Sequence, residues 1–306
     1  MANCESDLRK AVFDIEPSRS QKAGAVRSHN YLRDRLQQGH FKDRIIGTYL
    51  SGSYARDTAI APLDDVDIIF LIDASHWNSP LLASRPRPKE LLQSFARAVR
   101  HRYRDSSVRL QRRSVCLQLS HISLDIVPGI EVSKGSTLIE IPDRDSDTWI
   151  RTNPRSHTEY SSRINQSNAK RLKPVVKLLK FWNSKLPSTA RLKSFAIETL
   201  ATRLFEHERI TSIQEGLLLF FDFIAHLGHQ PTHFQWRSRY NISLRFSAVL
   251  QDASGISNLL ANTDGEKIDR FISQSVRSRN LLLKADDAAR QTSAWGHAAK
   301  ALRFPY

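Results

Sequence analysis

Cysteine is nearly missing from this chain. Two residues in 306, Cys4 and Cys116, cannot build a disulfide framework or a cysteine-type zinc site, and they point to a reducing, cytoplasmic setting. No run of 18 apolar residues occurs, so no transmembrane helix and no membrane partner are expected. The opening, MANCESDLRKAVFDIEPSRS, has no apolar stretch of the signal-peptide kind. Internal repeats and long low-complexity linkers are also missing. Acidic residues are the minority charge: 31 Asp plus Glu stand against 46 Lys plus Arg, a net of +15. That balance suits polyanions such as nucleoside triphosphates, RNA or DNA, or else it serves only solubility. With 40% hydrophobic residues, the chain can bury one large core or two modest ones.

The patterning divides the chain in two. An amphipathic helix is expected over 21–38, then a strand at RIIGTYL (44–50). After a Gly-Ser turn comes the apolar, β-branched run from Val66 to Ile72, of strand length. A proline-punctuated loop leads into a basic helix, followed by strands SVCLQL (114–119) and ISLDIV (122–127), the second stopped by Pro128-Gly129. Residues 142–157 are expected to be loop. Beyond them the periodicity is helical over 170–182, 192–207, 213–226 and 268–283. The layout is a small α/β half, then a helical half.

The chemistry gathers in the first half. Asp65 and Asp67 are two apart at the head of a strand, so they share a face. Two neighbouring carboxylates repel unless positive charge sits between them, and a divalent metal is the usual answer. Asp125 lies on another expected strand, 58 residues after Asp67. If the strands pair, three acids converge, a donor set suited to Mg²⁺ with substrate phosphates filling the remaining positions. Gly52 lets the backbone approach a phosphate closely, and Ser53 adds an N–H and a hydroxyl. The plain alternative makes Asp65 and Asp67 solvated edge residues and Asp125 a turn-facing acid before Pro-Gly.

Gly52-Ser53, the twelve-residue step to Asp65-Val66-Asp67-Ile68, and Asp125 together resemble the polymerase-β-like nucleotidyltransferase superfamily. Within it, YLSGSYARDTAI, DDVDIIF, LDIVPG, WIRTNPRSH, VVKLLKFWN and LKSFAIE resemble the SMODS-type bacterial CD-NTases. These are the cGAS/DncV-like enzymes of CBASS anti-phage defence. The closing AWGHAAKALRFPY is similar too, so the resemblance runs from about Ile15 to the end. It implies an α+β fold: a polymerase-β-like nucleotidyltransferase core, with a mixed sheet and flanking helices, in residues 1–155. A helical domain in 156–306 would complete an NTP-binding cleft. The implied activity is synthesis of a cyclic di- or trinucleotide from NTPs with release of pyrophosphate, cyclised by the same site and read by a downstream effector. Asp65, Asp67 and Asp125 would hold two Mg²⁺ ions, with Mn²⁺ as a substitute. Gly52, Ser53, Lys180 and Ser194 would hold the donor triphosphate. Asn153, His157 and Asn165 are candidates for base choice; bases, ring size and linkage are not readable. Two departures stand out. Asp57 occupies the place of Gly in the relatives' GSYARGT, where it could alter how the turn meets phosphate or simply cap it. The tail lacks a Phe-Gly pair common in relatives. Alternatives are a linear oligonucleotide synthase, an RNA-terminal nucleotidyltransferase, or an inactive nucleic-acid-binding or antitoxin module.

Other features read more plainly. Lys170, Lys173, Lys177 and Lys180 share one helical face, an ordinary solvated face for the first two. His226, His229 and His233 have no closed zinc spacing. DRDSDTWIRTNP starts like a calcium loop but lacks its Gly and Glu. Seven arginines, Arg97, Arg100, Arg102, Arg104, Arg109, Arg112 and Arg113, fall within 17 residues. They suggest a phosphate-binding surface for structured RNA or DNA, centred on Arg97, Arg100 and Arg104, or a face that only solubilises. The chain ends in Pro305-Tyr306, and the family resemblance makes that tail a candidate for conjugation machinery.

Overall fold

The computed structural model describes residues 4–39, 41–73, 86–227, 239–240, 242–244, 248–288 and 291–304. Two compact units form, one from Pro17–Thr158 and one from Met1–Glu16 with Glu159–Tyr306.

The first unit is a mixed sheet with helices. Its elements are α2 (Arg19–Gln37), β1 (Ile45–Ser51), the single turn α3 (Gly52–Ala55), β2 (Asp65–Ile72), α4 (Pro88–Arg102), β3 (Ser107–Leu110), β4 (Val115–Gln118), β5 (Ser123–Glu131), β6 (Ile139–Asp143) and β7 (Thr148–Thr152). The strand order is β1-β2-β5-β4-β3, with β6 paired to the end of β5 and to β7. The pair β2–β5 is parallel and the others are antiparallel. Alternation along β2 decides the two faces. Val66, Ile68, Phe70 and Ile72 join Leu124, Ile126, the α2 residues Leu32 and Leu36, and the α4 residues Leu91, Leu92 and Phe95 in one apolar cluster. Phe95 stacks on Phe41 at 4.1 Å and meets Phe70 edge-on at 5.9 Å. The opposite face of β2 carries Asp65 and Asp67, then Ile69 and Leu71, and these last two pack on Ile139.

The second unit is helical: α1 (Glu5–Ile15), α6 (Leu172–Ser184), α7 (Ser194–Phe205), α8 (Ile213–Leu227), α9 (Gly265–Asp286) and α10 (Gln291–Leu302), with a short pair β8 (Ile242–Ser243) and β9 (Val249–Leu250). The helix α5 (Pro154–Ser167) carries the chain across the boundary. Trp182 is fully buried against Phe221 and Phe271, and its indole N–H donates to Ser278 Oγ at 2.9 Å. No described helix is long and apolar enough to cross a membrane.

Several expectations change. The division at 155/156 placed the N-terminus in the catalytic core, whereas residues 1–16 cluster with the helices. The cause is α1: Glu5 Oε2 accepts the backbone N–H of Ile213 at 2.8 Å, and Glu16 pairs with Lys177 at 2.6 Å. Pro128-Gly129 does not stop β5, which continues to Glu131. Pairing with β4 ends at Ile126, so Pro128 lies where one flank of the strand is already free of the ladder. The expected loop at 142–157 is the β6–β7 hairpin and the start of α5. There Asn153 Oδ1 accepts the backbone N–H of Ser156 at 3.1 Å, and Pro154 opens the helix, the usual cap-then-proline start.

The apparent calcium loop has another use. Asp143 is fully buried and accepts from Arg112 Nε at 2.7 Å, Arg113 Nε at 3.1 Å and the backbone N–H groups of Asp145 and Ser146. Burial alone raises a carboxyl, but the two guanidiniums and the Ser146 N–H outweigh it and hold Asp143 well below the carboxylate range. A carboxyl lowered in the folded state contributes stability that is fully present above the unfolded value of about 3.9 and is lost as pH falls below it towards the depressed folded-state value. Asp143→Asn is therefore expected to lower the Tm at neutral pH. The gap to wild type should narrow progressively as pH falls below about 4; a gap independent of pH would mean that the charge does not hold the hairpin.

Candidate active site

Strand register brings the three acids to one sheet face. Asp67 is the direct partner of Asp125 across β2–β5, and Ser51 is the partner of Asp67 across β1–β2. Cys116 pairs with Asp125, and Arg109 with Cys116. Residues in register share a face, so Ser51, Asp67, Asp125, Cys116 and Arg109 form one cross-strand row. Asp65 heads the next row, about 7 Å along the strand, beside Ser123 and Gln118. Ser123 Oγ donates to Gln118 Oε1 at 2.6 Å.

The turn Gly52–Ala55 closes over this row. Gly52 has φ +68°, which a side chain resists, and a Cβ there would lie 1.8 Å from Asp67 Oδ2. The glycine is therefore required twice, by its backbone and by the carboxylate beneath it. Ser53 is half-buried, and its carbonyl accepts the N–H of Thr58 at 2.9 Å. Arg56, from the same turn, is buried near Asp67 and opposes its charge.

Electrostatics mark the row as short of positive charge. Burial, then Asp65 and Asp125, push Asp67 up to about 6, against the pull of Arg56. Asp125 is raised by burial first and also by Asp65. A hydrogen bond from the Cys116 thiol and the charge of Arg109 oppose that rise. The Arg109 guanidinium donates to Cys116 Sγ at 3.8 Å. One oxygen of Asp125, Oδ1, is buried without a hydrogen-bond partner, which is costly unless something fills it. Among the described residues, no group of three or more His, Cys, Asp or Glu side chains is placed to hold a metal ion by itself. An orphaned carboxylate oxygen in an open set of acids fits Mg²⁺, which keeps several positions for water and phosphate.

The remaining candidates lie in the helical unit. Lys180 is buried on α6, Lys177 is tied to Glu16, Lys173 is half-buried and Lys170 is exposed. Ser194 is exposed at the first position of α7, where backbone N–H groups are unsatisfied within the helix. Asn183 fixes that start: its amide donates to Leu192 O at 2.8 Å and accepts from Leu192 N at 3.1 Å. Asn153 caps α5 and bonds Thr137 Oγ1, and Asn165 accepts from Lys173 N, so both amides are engaged in the fold. His229, His233 and the Pro305-Tyr306 tail lie outside the described residues. Reading single strands missed Arg56, Arg109 and Cys116. The signal for Arg109 and Cys116 was available only through register, whereas Arg56 acts from the end of the Gly52–Ala55 turn.

The model of the Second Messenger Oligonucleotide or Dinucleotide Synthetase domain, SMODS, matches residues 2–165, more than half of the chain. The chain belongs to the SMODS family. Gly52, Ser53 and all three acids fall inside the matched span, whereas Lys180 and Ser194 fall beyond it. A cyclic AMP-AMP-AMP synthase from an Acinetobacter strain is 35% identical over 203 residues, covering 63% of this chain and 56% of that protein. A probable cyclic AMP-AMP-GMP nucleotide synthase from Salmonella paratyphi B is 31% identical over 127 residues, 40% of this chain and 31% of that one. The chain thus aligns to just over half, or less, of these relatives' lengths. The fold is that of solved CD-NTases. CdnC of E. coli, solved with ATP, matches with TM-score 0.75 at 18% identity over 97% of each chain. CdnG of Bradyrhizobium diazoefficiens, solved with GTP, matches with TM-score 0.70 at 16% identity over 97% of this chain and 96% of that one.

This SMODS turn also explains Asp57, which adopts φ 55° at the end of the Gly52–Ala55 turn. Glycine takes that conformation freely, and aspartate tolerates it better than bulkier residues. Asp57→Gly should leave stability within about 1 kcal/mol of wild type, whereas Asp57→Val should cost more than about 1 kcal/mol beyond that. Chemical denaturation measures both, and equal costs would show that the backbone at 57 is unstrained. Gly52→Ala is expected to keep the sheet but displace Asp67, removing activity. A fully active Gly52→Ala protein would contradict the close approach.

Proposed function

We propose that this chain is a cyclic oligonucleotide synthase that joins nucleoside triphosphates by nucleotidyl transfer in CBASS anti-phage signalling. The observation that carries the reading is the in-register pair Asp67–Asp125, with Asp65 two residues earlier and Gly52 packed directly on Asp67. Three acids with one orphaned oxygen serve no purpose in a pure binding module. The SMODS match over the same residues supports the reading.

Asp65 and Asp67 would hold two Mg²⁺ ions, with Asp125 a ligand of one of them; Mn²⁺ is the natural substitute. Bound there, such ions supply charge neutralisation at the phosphates and acidify the acceptor hydroxyl. The turn at Gly52-Ser53 offers close backbone approach, an N–H and a hydroxyl to the donor triphosphate. Lys180 and the α7 start at Ser194 are assigned to the same triphosphate, the lysine as point charge and the helix end as N–H donor. Arg56 favours the charged form of Asp67, and Arg109 that of Asp125, from the protein side. In the reaction, a ribose hydroxyl attacks the donor α-phosphorus in line. A new P–O ester bond forms, the bond to the β-phosphate bridging oxygen breaks, the hydroxyl loses its proton and pyrophosphate departs. A second such step closes the ring.

The name of the Acinetobacter relative makes ATP the first nucleotide to test. A linear oligonucleotide synthase or an RNA-terminal transferase would share the acids. Incubation with four labelled NTPs separates them: a phosphatase-resistant small product, identified by mass spectrometry, is expected. Extension of added RNA, or only phosphatase-sensitive products, would contradict cyclisation. The C-terminal tail remains a proposed target of conjugation machinery. A nucleic-acid activator on Arg97, Arg100 and Arg104 is a further proposed partner.

Asp67→Asn keeps shape and removes one charge from the row. We expect turnover to fall by orders of magnitude, equivalent to roughly 3 kcal/mol or more of transition-state stabilisation, with the Tm preserved. A folded variant with near-normal turnover would overturn the assignment of the acids.

A further inference from the structure

The seven clustered arginines do not form one continuous surface. Arg112 and Arg113 are committed to Asp143, Arg109 lies in the catalytic row, and Arg100 donates to the backbone oxygen of Val108 at 3.2 Å. Two others converge instead. Arg97 and Arg102 on α4 line a cavity of about 450 Å³ together with His101 and with Arg35 of α2. Its apolar lining includes Leu36 and Ala98.

The cations here are held by neutral groups. Arg35 lies over the Tyr31 ring at 4.8 Å. Arg97 donates to Ser94 Oγ at 3.0 Å. Arg102 reaches across Gly39, where a Cβ would stand 3.2 Å from its Nη2. None of the three arginines, nor His101, makes an ion pair with a carboxylate among the described residues. Clustered like charges with no counter-charge raise the energy of the unliganded surface, and guanidinium forks match phosphate oxygens bidentately. The lining helices pack on the Val66, Ile68 and Phe70 face of the sheet, whereas Asp65 and Asp67 project from the other. The cavity is therefore separate from the catalytic row.

We propose that this α2–α4 cavity binds a compact, multiply charged phosphate anion of nucleoside-polyphosphate size. Three arginines and a histidine lining one cavity call for several negative charges in a small space, as a di- or triphosphate carries. The volume lies within the range of small-ligand pockets. A half-open cavity of this size, lined in part by Leu36 and Ala98, fits a compact anion, whereas nucleic-acid binding spreads over many phosphate contacts along a backbone.

The test is calorimetric titration of the full chain with inorganic tripolyphosphate in EDTA, so that no divalent metal draws the anion to the acids. Wild type should bind. Arg97→Gln/Arg102→Gln should weaken binding about tenfold or more. Ala98→Phe, which adds bulk to the cavity lining and leaves every charge in place, should weaken it to a similar degree. Asp67→Asn should not weaken it. Thermal melts confirm that each variant is folded, and the conservative Arg97→Lys/Arg102→Lys should recover part of the binding. No metal-free binding by wild type, or binding indifferent to Ala98→Phe, would overturn the proposal. A parallel titration with a duplex DNA and an RNA hairpin provides the other outcome. Nucleic-acid binding that needs Arg97 and Arg102 but survives Ala98→Phe would make this a backbone-binding face and likewise overturn the compact site.

Discussion

Like-charge repulsion between carboxylates organises this molecule. Asp67 and Asp125 are direct partners on parallel strands, and Asp65 is two residues away on the same face. A sheet does not place acids side by side without compensation. Part of it is built in: the charge of buried Arg56 opposes the rise of Asp67, and the charge of Arg109, whose guanidinium donates to Cys116 Sγ, opposes that of Asp125. That is not enough, because Asp67 is still pushed up to about 6 and Asp125 keeps a buried oxygen without a partner. That unmet demand for positive charge is the basis of the proposed metal site.

The rest of the first unit keeps that arrangement in register. A one-residue slip of β2 against β5 would turn Asp65 and Asp67 into the core and Val66, Ile68 and Phe70 out of it, which burial of the α2–α4 cluster forbids. Farther along the acid face, Ile69, Leu71 and Ile139 pack together, so the same face is polar at the head of β2 and apolar at its end. The β6–β7 hairpin that supplies Ile139 is itself anchored by buried Asp143 and two arginines. Six of the seven arginines clustered in the linear sequence thus divide among structural contacts, the row of acids and the lining of the α2–α4 cavity.

Legibility followed how local each signal was. The Asp65, Asp67 and Asp125 trio could be read because strand alternation and spacing are local rules, and the Gly-Ser turn because glycine there has a steric reason. The SMODS resemblance was likewise legible in ordered short segments. The cross-strand row through Cys116 and Arg109 was not, since only register makes those residues neighbours. Helix α5 was missed although Asn153-Pro154 is a strong start signal; the acidic and polar run before it suggested a loop. The membership of α1 in the helical unit depends on Glu5 and Glu16 finding Ile213 and Lys177, contacts more than 150 residues apart in sequence. Pro128 misled because the rule against proline in strands applies to a strand paired on both flanks, and β4 has ended there.

The central claim is that the three acids form one open, charge-deficient metal site. Counting bound Mn²⁺ by electron paramagnetic resonance, with a non-hydrolysable ATP analogue present, tests it directly. The account predicts tight Mn²⁺ binding in wild type, a reduced count in Asp125→Asn, and loss of tight binding when Asp65 and Asp67 are both changed to Asn. Equal Mn²⁺ occupancy in wild type and in a folded Asp65→Asn/Asp67→Asn protein would contradict it.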